Sequence, residues 1–214
     1  MYEYILFDFD GTLFDTLEGI TKSVRYAINK QGLDAPLDEL RCFAGPPLVD
    51  MFMKKFGLTL PQAERATADF RERYLPIGLY QCRVFPGVKE LLVSLRRAGK
   101  ILAVATSKPQ ALAEELLARE GMLDYFGFIK GSRPDGNNSA KWEIVRQVME
   151  ALGAGAENCL LVGDTKYDVE GAHRCGIPCA AVGFGYAAEG ELEEAGADFF
   201  AADCPALERL LLEK

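Results

Sequence analysis

Residues 4–12 read Tyr4-Ile5-Leu6-Phe7-Asp8-Phe9-Asp10-Gly11-Thr12, an apolar run that ends in two aspartates and a glycine. Short apolar runs that end at polar residues or glycine are typical of buried strands in a parallel sheet. Comparable runs recur at 101–105, 127–130, 159–162 and 179–182, and amphipathic helical stretches lie between them at 88–98, 110–120, 142–152 and 169–175. Strands that alternate with helices predict an α/β fold with a Rossmann-like, doubly wound parallel sheet.

The segment that follows the first strand has a different pattern. It shows helical periodicity over 24–30, 49–56 and 62–74, with breaks at Gly32, Gly45-Pro46-Pro47 and Gly57, and it contains no convincing strand. We therefore predict a small α-helical domain of residues 16–83 inserted after the first strand. The core domain is then discontinuous and comprises residues 1–15 and 84–214.

Composition limits the class of protein. The chain has 214 residues, 24 Lys and Arg against 32 Asp and Glu, a formal charge of -8 and 49% hydrophobic residues. Such a balance is typical of a soluble globular protein and argues against a nucleic-acid polymer as partner, because phosphate backbones bind basic surfaces. The sequence has no signal-peptide pattern and no run of the roughly 20 apolar residues that a membrane helix needs. We predict a cytoplasmic protein with no membrane partner; monomer and dimer both stay open.

The six cysteines give no sign of a metal or redox centre. They lack a C-x-x-C pair, and the chain has one histidine, His173. Zinc sites need cysteine and histidine at close spacing. Reduced thiols are the expected state.

Carboxylates and hydroxyls follow the predicted strands. Asp8 and Asp10 end the first strand, and Thr106 and Ser107 end the strand at 101–105. Ligands of open α/β sheets bind beyond the carboxyl ends of the strands, where hydroxyls and free backbone N–H groups can hold an anion. The structural alternatives are an Asp-Gly turn for the aspartates and a helix cap for the hydroxyls, with Pro109 in the first helical turn.

Two further acidic residues and one lysine complete the set. Asp164 follows the strand at 159–162, Asp168 lies four residues later, and Lys141 begins a predicted helix. Hard oxygen ligands without histidine suit Mg²⁺. Each residue also has an ordinary structural explanation, namely helix capping for the two aspartates and a solvated surface for the lysine.

Taken together, these motifs resemble the haloacid dehalogenase superfamily, and specifically its phosphatases. Asp8-Phe9-Asp10-Gly11-Thr12-Leu13 looks like the first family motif, Thr106 the second, Lys141 the third, and Gly163-Asp164-Thr165-Lys166-Tyr167-Asp168 the fourth. The helical insert matches the small cap domain of the family. Gly45-Pro46-Pro47-Leu48 and Arg83-Val84-Phe85-Pro86-Gly87-Val88 resemble the phosphoglycolate phosphatase-like and 5′-nucleotidase-like branch. Gly131-Ser132-Arg133-Pro134-Asp135-Gly136 leans toward its nucleotidase-like members.

The resemblance implies a Mg²⁺-dependent phosphatase that acts on a small phosphorylated metabolite through an aspartyl-phosphate. It implies that Asp8 is the nucleophile and Asp10 the general acid and base. Mg²⁺ would be held by Asp8, the backbone carbonyl of Asp10 and Asp164, with Asp168 supporting it directly or through water. The phosphoryl group would be bound by Thr106, Ser107 and Lys141, and substrate selectivity would come from the cap residues Arg41, Gly45, Pro46 and Pro47.

Other functions fit the sequence less well. A dehalogenase needs no carboxylate at position 10, and a sugar phosphomutase of this superfamily usually carries a cap histidine that is missing here. Gly183-Phe184-Gly185-Tyr186-Ala187-Ala188 fits the dinucleotide pattern, but too little chain follows it, so a loop beside the site is expected instead. His173 lacks a G-x-S-x-G partner motif and is expected on a helix surface. A non-catalytic phosphate-binding or regulatory module on the same fold is the alternative of a different class.

Overall fold

The computed structural model describes residues 1–133 and 140–213. The chain divides into two compact units, one formed by Met1–Phe14 with Val84–Lys214 and the other by Asp15–Arg83. Most of the loop predicted at 131–139 lies outside the described residues. The same holds for Pro134, Asp135 and Gly136 of the motif that begins at Gly131. The assignment of the second unit as a cap stays a prediction.

The strands and helices alternate along the first unit, and helices dominate the second. The strands are β1 (Tyr4–Phe7), β2 (Phe14–Asp15), β3 (Arg83–Val84), β4 (Ile101–Pro109), β5 (Phe128–Ser132), β6 (Cys159–Gly163), β7 (Cys179–Val182) and β8 (Phe199–Ala201). The helices are α1 (Leu17–Lys30), α2 (Leu48–Phe56), α3 (Leu60–Tyr74), α4 (Val88–Arg97), α5 (Gln110–Arg119), α6 (Lys141–Leu152), α7 (Lys166–Arg174), α8 (Glu191–Glu194) and α9 (Cys204–Glu213). Short 3₁₀ segments lie at Leu37–Phe43, Gly78–Tyr80, Leu123–Tyr125 and Ala156–Asn158.

The main sheet is parallel and places β1 at its centre. Among the described residues it has six strands in the order β5-β4-β1-β6-β7-β8. Phe7 of β1 pairs with Val104 of β4 on one side and with Val162 of β6 on the other. The doubly wound α/β prediction is confirmed, and the last residue of β1 lies level with Val104 and Val162 in the two neighbouring strands.

Apolar burial explains why this sheet forms. Ile5, Leu6 and Phe7 are buried, as expected for a strand covered on both faces. A core cluster brings together sheet and helix residues that are almost fully inaccessible to solvent. Its members from the sheet are Leu6, Ala103, Ala105, Cys159, Leu161, Cys179 and Ala181, and those from α6 and α7 are Ile144, Val145, Val148, Val169 and Ala172.

The second unit is built around α1 and α3. Arg73 of α3 donates to the hydroxyl of Ser23 on α1 at 2.9 Å and to the side-chain oxygen of Gln81 at 2.9 Å. A Cβ on Gly19 would lie 1.9 Å from the carbonyl oxygen of Gly78, so only glycine allows α1 to approach that turn. This contact explains a glycine in the first turn of α1, which begins earlier than the periodicity from residue 24 predicts.

The structure differs from the predicted elements after residue 198 and at the end of β4. β8 and α9 were not predicted; β8 is short and Phe200 within it is 55% exposed, so this strand lacks a clear apolar run. β4 continues to Pro109 and α5 begins at Gln110. The interpretation of Thr106 or Ser107 as a helix cap is therefore wrong, because both belong to the strand.

Among the described residues, the helices all fall short of the length and apolar character that crossing a bilayer requires.

Candidate active site

The strand register brings three predicted site residues to one edge of the sheet. Asp8 directly follows β1, Thr106 lies near the end of β4, and Asp164 directly follows β6. The Asp8 N–H donates to the carbonyl oxygen of Val162 at 2.9 Å, which continues the strand pairing up to the site. Side chains that are remote in sequence therefore meet where the sheet gives way to loops, the position at which open α/β sheets bind ligands.

Lys141 joins this cluster from the first residue of α6. Its Nζ lies 2.6 Å from Oδ1 of Asp8 and 2.8 Å from Oδ1 of Asp168, and it donates to the carbonyl oxygen of Ala105 at 3.1 Å. The contact with Asp168 has ion-pair distance without hydrogen-bond geometry, since this oxygen has no hydrogen-bond partner among the described atoms. Lys141 is buried, so the predicted surface alternative is wrong.

A glycine on α7 makes room for Lys141. A Cβ on Gly171 would lie 2.5 Å from Cγ and 2.8 Å from Cβ of Lys141. Any larger residue at position 171 would push the lysine stem out of its path between α6 and α7. The ring of the next residue, Trp142, contacts two guanidinium groups, with Arg174 at 4.3 Å and Arg146 at 5.1 Å from the ring centre. The contact with Arg174 joins the first turn of α6, from which Lys141 extends, to the end of α7.

Asp164 is oriented by hydrogen bonds to both of its oxygens. The Thr12 hydroxyl donates to Oδ1 at 3.1 Å, and the Tyr186 N–H donates to Oδ2 at 2.8 Å. Two glycines clear the space around this side chain. A Cβ on Gly11 would lie 2.0 Å from Oδ2 of Asp164, and a Cβ on Gly185 would lie 2.2 Å from its Cβ. Gly11 also has a φ of +87°, a conformation that favours glycine. The segment at 183–188 thus forms a loop beside Asp164, as expected.

Asp168 combines a structural contact with a contact at the site. Its Oδ2 accepts hydrogen bonds from the Asp164 N–H at 3.2 Å, from the Thr165 N–H at 3.0 Å and from the Thr165 hydroxyl at 2.9 Å. These bonds satisfy N–H groups at the start of α7, so the capping interpretation is correct. Oδ1 of the same carboxylate faces Lys141. Whether Asp168 touches a metal directly or supports it stays a prediction.

Burial sets the electrostatics of the cluster. Desolvation raises the pKa of Asp8; Lys141 opposes the rise, Asp168 and Asp10 add to it, and the resulting pKa is about 6. Desolvation also raises the pKa of Asp164 well above its ordinary value, with Asp168 and Asp8 adding to the rise. Burial alone would lower the pKa of Lys141, but the neighbouring carboxylates Asp168 and Asp8 raise it instead. The Lys141 ammonium is therefore charged, but this single positive charge is not enough to neutralise the carboxylates around it.

The side chains present suit a divalent cation. One oxygen each of Asp8, Asp164 and Asp168 lies within 4.8 Å of the others. Three ionised carboxylates beside one ammonium leave two uncompensated negative charges in a buried place, which is costly unless a cation binds there. Carboxylate oxygens are the ligands that Mg²⁺ prefers, so these residues fit the group that the family motifs imply. Binding of the metal by the backbone carbonyl oxygen of Asp10 stays a prediction.

The end of β4 supplies a residue that the sequence analysis missed. Thr106 is buried, and its Oγ1 accepts a hydrogen bond from the Lys108 N–H at 3.2 Å. The Lys108 Nζ lies 3.0 Å from Oδ1 and 3.3 Å from Oδ2 of Asp10. Residues two apart on a strand share a face, and this spacing relates Lys108 to Thr106 just as it relates Asp10 to Asp8. That spacing is the signal that could have identified Lys108.

The helical unit contains a cleft of about 550 Å³. Arg41 lines it, together with the charged residues Asp15, Glu18, Asp38 and Arg83. Gly45, Pro46 and Pro47 directly precede α2 and are not among the residues that line this cleft, and the role of all four residues in selectivity stays a prediction. His173 lies near the end of α7 and is exposed, and its Nε2 lies 2.9 Å from Oδ2 of Asp198. The prediction of a position on a helix surface is therefore confirmed.

Comparisons with known proteins agree with this geometry. A family model described as haloacid dehalogenase-like hydrolase matches residues 5–182. A protein named 5′-nucleotidase from Pseudomonas aeruginosa is 42% identical over 211 residues, which cover 98% of this chain and 96% of that one. A protein named phosphoglycolate phosphatase from Cupriavidus necator is 34% identical over 212 residues, covering 97% and 92% of the two chains.

The fold has a close match among solved structures. The crystal structure of a predicted phosphatase from Clostridium acetobutylicum superposes with a TM-score of 0.96 and 37% identity, and the match covers 100% of both chains. The family match spans most of the chain, and these relatives match nearly its whole length. The chain therefore belongs to the haloacid dehalogenase-like hydrolase family.

Proposed function

We propose that this chain is a Mg²⁺-dependent phosphatase that hydrolyses a small phosphomonoester through an aspartyl-phosphate on Asp8. The observation that carries the proposal is the buried cluster of Asp8, Asp164 and Asp168 around Lys141 at the carboxyl edge of the central strands. Relatives named 5′-nucleotidase and phosphoglycolate phosphatase support hydrolysis of a phosphate ester.

In the first step, Asp8 is the nucleophile. One carboxylate oxygen attacks phosphorus, the bond from phosphorus to the ester oxygen breaks, and Asp10 gives its proton to the leaving alcohol. Thr106, Ser107 and Lys141 would bind the phosphoryl oxygens during this transfer. The ammonium of Lys141, 2.6 Å from Asp8, offsets the negative charge that the nucleophile and the phosphoryl group bring together.

In the second step, Asp10 acts as the base. It takes a proton from water, the water oxygen bonds to phosphorus, and the bond from phosphorus to the Asp8 oxygen breaks, which releases phosphate and restores the carboxylate. A bound Mg²⁺ would supply charge neutralisation for the phosphoryl oxygens, held by Asp8, Asp164 and the Asp10 backbone carbonyl with Asp168 in support.

Residues 16–83 would form the cap that selects the substrate. The cleft that contains Arg41 offers charges of both signs, which suits the polar part of a small metabolite better than a long apolar chain. We place the substrate among small phosphorylated metabolites of the kind named for the relatives, nucleotides and phosphoglycolate. The cytoplasmic location stays a prediction.

The test compares the wild type with Asp8→Asn. With p-nitrophenyl phosphate and Mg²⁺, the wild type is expected to turn over and Asp8→Asn to fall to background while keeping the same thermal unfolding profile. Asp124→Asn makes the same chemical change at an exposed aspartate and is the matched control. Acid quench of the wild type should trap one phosphoryl group on the peptide that contains Asp8.

Two outcomes would contradict the proposal. Activity of Asp8→Asn close to that of Asp124→Asn would remove the nucleophile assignment. Phosphate binding by the wild type without turnover of any ester would favour the non-catalytic module.

A second experiment defines the substrate class of an active wild type. A panel of nucleoside monophosphates, phosphoglycolate and other phosphate esters is ranked by kcat/KM with Mg²⁺.

A further inference from the structure

Lys108 is a buried lysine that the mechanism above does not use. Its side chain is 3% exposed, and its Nζ lies 3.0 and 3.3 Å from the two carboxylate oxygens of Asp10. The same Nζ lies 5.5 Å from the ring centre of Phe9, a fully buried residue. The ammonium is therefore confined between an aromatic ring and the carboxylate of Asp10.

This pair differs from an ordinary surface salt bridge. A buried ammonium is costly unless a charged partner and good geometry compensate for lost hydration, so the two groups restrict each other's position. Both oxygens of Asp10 lie within reach of one Nζ, which limits rotation of the carboxylate. The charge of Asp10 is also close enough to Asp8 to raise the pKa of that carboxyl. Lys108 thus opposes repulsion among neighbouring carboxylates.

A second buried lysine, next to the amino end of the same strand, shows what a purely structural lysine does here. Lys100, just before β4, is 6% exposed, and its Nζ donates to the carbonyl oxygen of Tyr2 at 2.6 Å. It lies at the amino end of β4, about 25 Å of extended strand away from Lys108. Its acceptor is a backbone oxygen, whereas Lys108 lies against the side chain of the proposed acid and base.

We propose that Lys108 is a positioning residue that holds the Asp10 carboxylate in place for the activation of water. The inference rests on the proposed function. In the second step Asp10 must accept a proton from water while the water oxygen bonds to phosphorus and the Asp8 oxygen leaves. Lys108 keeps Asp10 directed toward the site in this step and stabilises the charge that Asp10 carries before it takes the proton.

The experiment separates the two steps with p-nitrophenyl phosphate and Mg²⁺ under rapid mixing. This ester has a good leaving group, so formation of the aspartyl-phosphate depends less on acid catalysis than hydrolysis of that intermediate depends on a placed base. In Lys108→Met we expect a burst of p-nitrophenol close to the enzyme concentration, followed by a steady-state rate about 10–100-fold below that of the wild type. Lys108→Arg keeps a cation within reach of Asp10 and should recover part of the rate.

Lys100→Met is the matched control, since it removes a buried ammonium next to the amino end of the same strand but leaves the ion pair between Lys108 and Asp10 in place. It is expected to lose stability in a thermal melt and to keep the wild-type ratio of burst to steady state. If Lys108→Met does not fold, Lys108→Gln, which keeps most of the stem, is compared with Lys100→Gln in the same assay.

Each result separates this inference from the proposed function. A Lys108 variant whose steady-state rate stays within about twofold of its Lys100 control overturns the inference. A variant that slows burst and steady state by the same factor, with no recovery in Lys108→Arg, also overturns it, because general disruption then explains the loss. A wild type that hydrolyses no phosphate ester refutes the proposed function itself, and the role of Lys108 fails with it.

Discussion

Without divalent ions, the protein is expected to become more stable when the pH falls from about 7.5 to about 5. Asp8 is buried, and its pKa rises from 3.8 to about 6 in the folded protein. A raised carboxyl pKa means that the folded protein binds the proton more tightly than the unfolded chain does. The ionised form of Asp8 therefore destabilises the fold above the folded pKa, and this cost disappears as the pH falls toward 3.8.

The magnitude follows from the size of the shift. A rise of about two pKa units corresponds to about 3 kcal/mol of destabilisation at neutral pH, at about 1.4 kcal/mol per unit. At about pH 5, roughly one unit below the folded pKa, about 1 kcal/mol of this is regained, which raises the melting temperature by about 2–4 °C for a chain of this size. The raised pKa of Asp164 acts in the same direction.

Thermal melts in EDTA at the two pH values measure this effect. The melting temperature of the wild type is expected to rise at the lower pH. The rise should be smaller for Asp8→Asn, because this variant has no carboxyl to protonate at position 8. With saturating Mg²⁺ the sign should reverse, because protons then compete with the ion for the same carboxylates. A metal-free wild type that loses as much stability as Asp8→Asn between these pH values would refute the electrostatic account of the cluster.

Three substitutions test the packing around the site and in the helical unit. Gly171→Ala places a Cβ 2.5 Å from Cγ of Lys141 and should lower kcat by about tenfold or more and stability by about 1–3 kcal/mol; unchanged kcat would show that the lysine adapts. Gly185→Ala crowds Asp164 and should raise the Mg²⁺ concentration for half-maximal activity, which a metal titration measures. Arg73→Met removes two hydrogen bonds from the helical unit and should cost about 1–2 kcal/mol in a thermal melt, and an unchanged melt would contradict their role.

Much of the fold could be predicted because the central strands carry a strong local signal. Tyr4–Phe7 and Cys159–Gly163 are apolar and are each followed directly by an aspartate, as is typical of buried parallel strands that end at a site. The edge strand Phe199–Ala201 carries no such signal, because it is short and partly exposed. The start of α1 was also missed, since Gly19 is chosen by a close backbone contact with Gly78, which only the folded chain reveals.

The candidate site shows the same division between local and tertiary information. Asp8, Asp10 and Asp164 follow strands, so their position could be predicted from the sequence. The need for glycine at position 171 depends on the path of Lys141, which begins 30 residues earlier on another helix. Lys108 was overlooked because a lone lysine after the predicted strand at 101–105 is most often solvated, and its burial against Asp10 arises from the packing of β4 beside β1.

Helix capping and a role at the site were weighed as alternatives for Asp168, yet one carboxylate makes the contacts that both would need. Its Oδ2 binds three donors at the start of α7, which fixes the orientation of the side chain. That orientation directs Oδ1 toward Lys141, whose ammonium in turn lies against Asp8. A cap formed for local reasons therefore lies against the lysine that contacts the proposed nucleophile, so the local stability of α7 and the charge of the candidate site depend on the same residue.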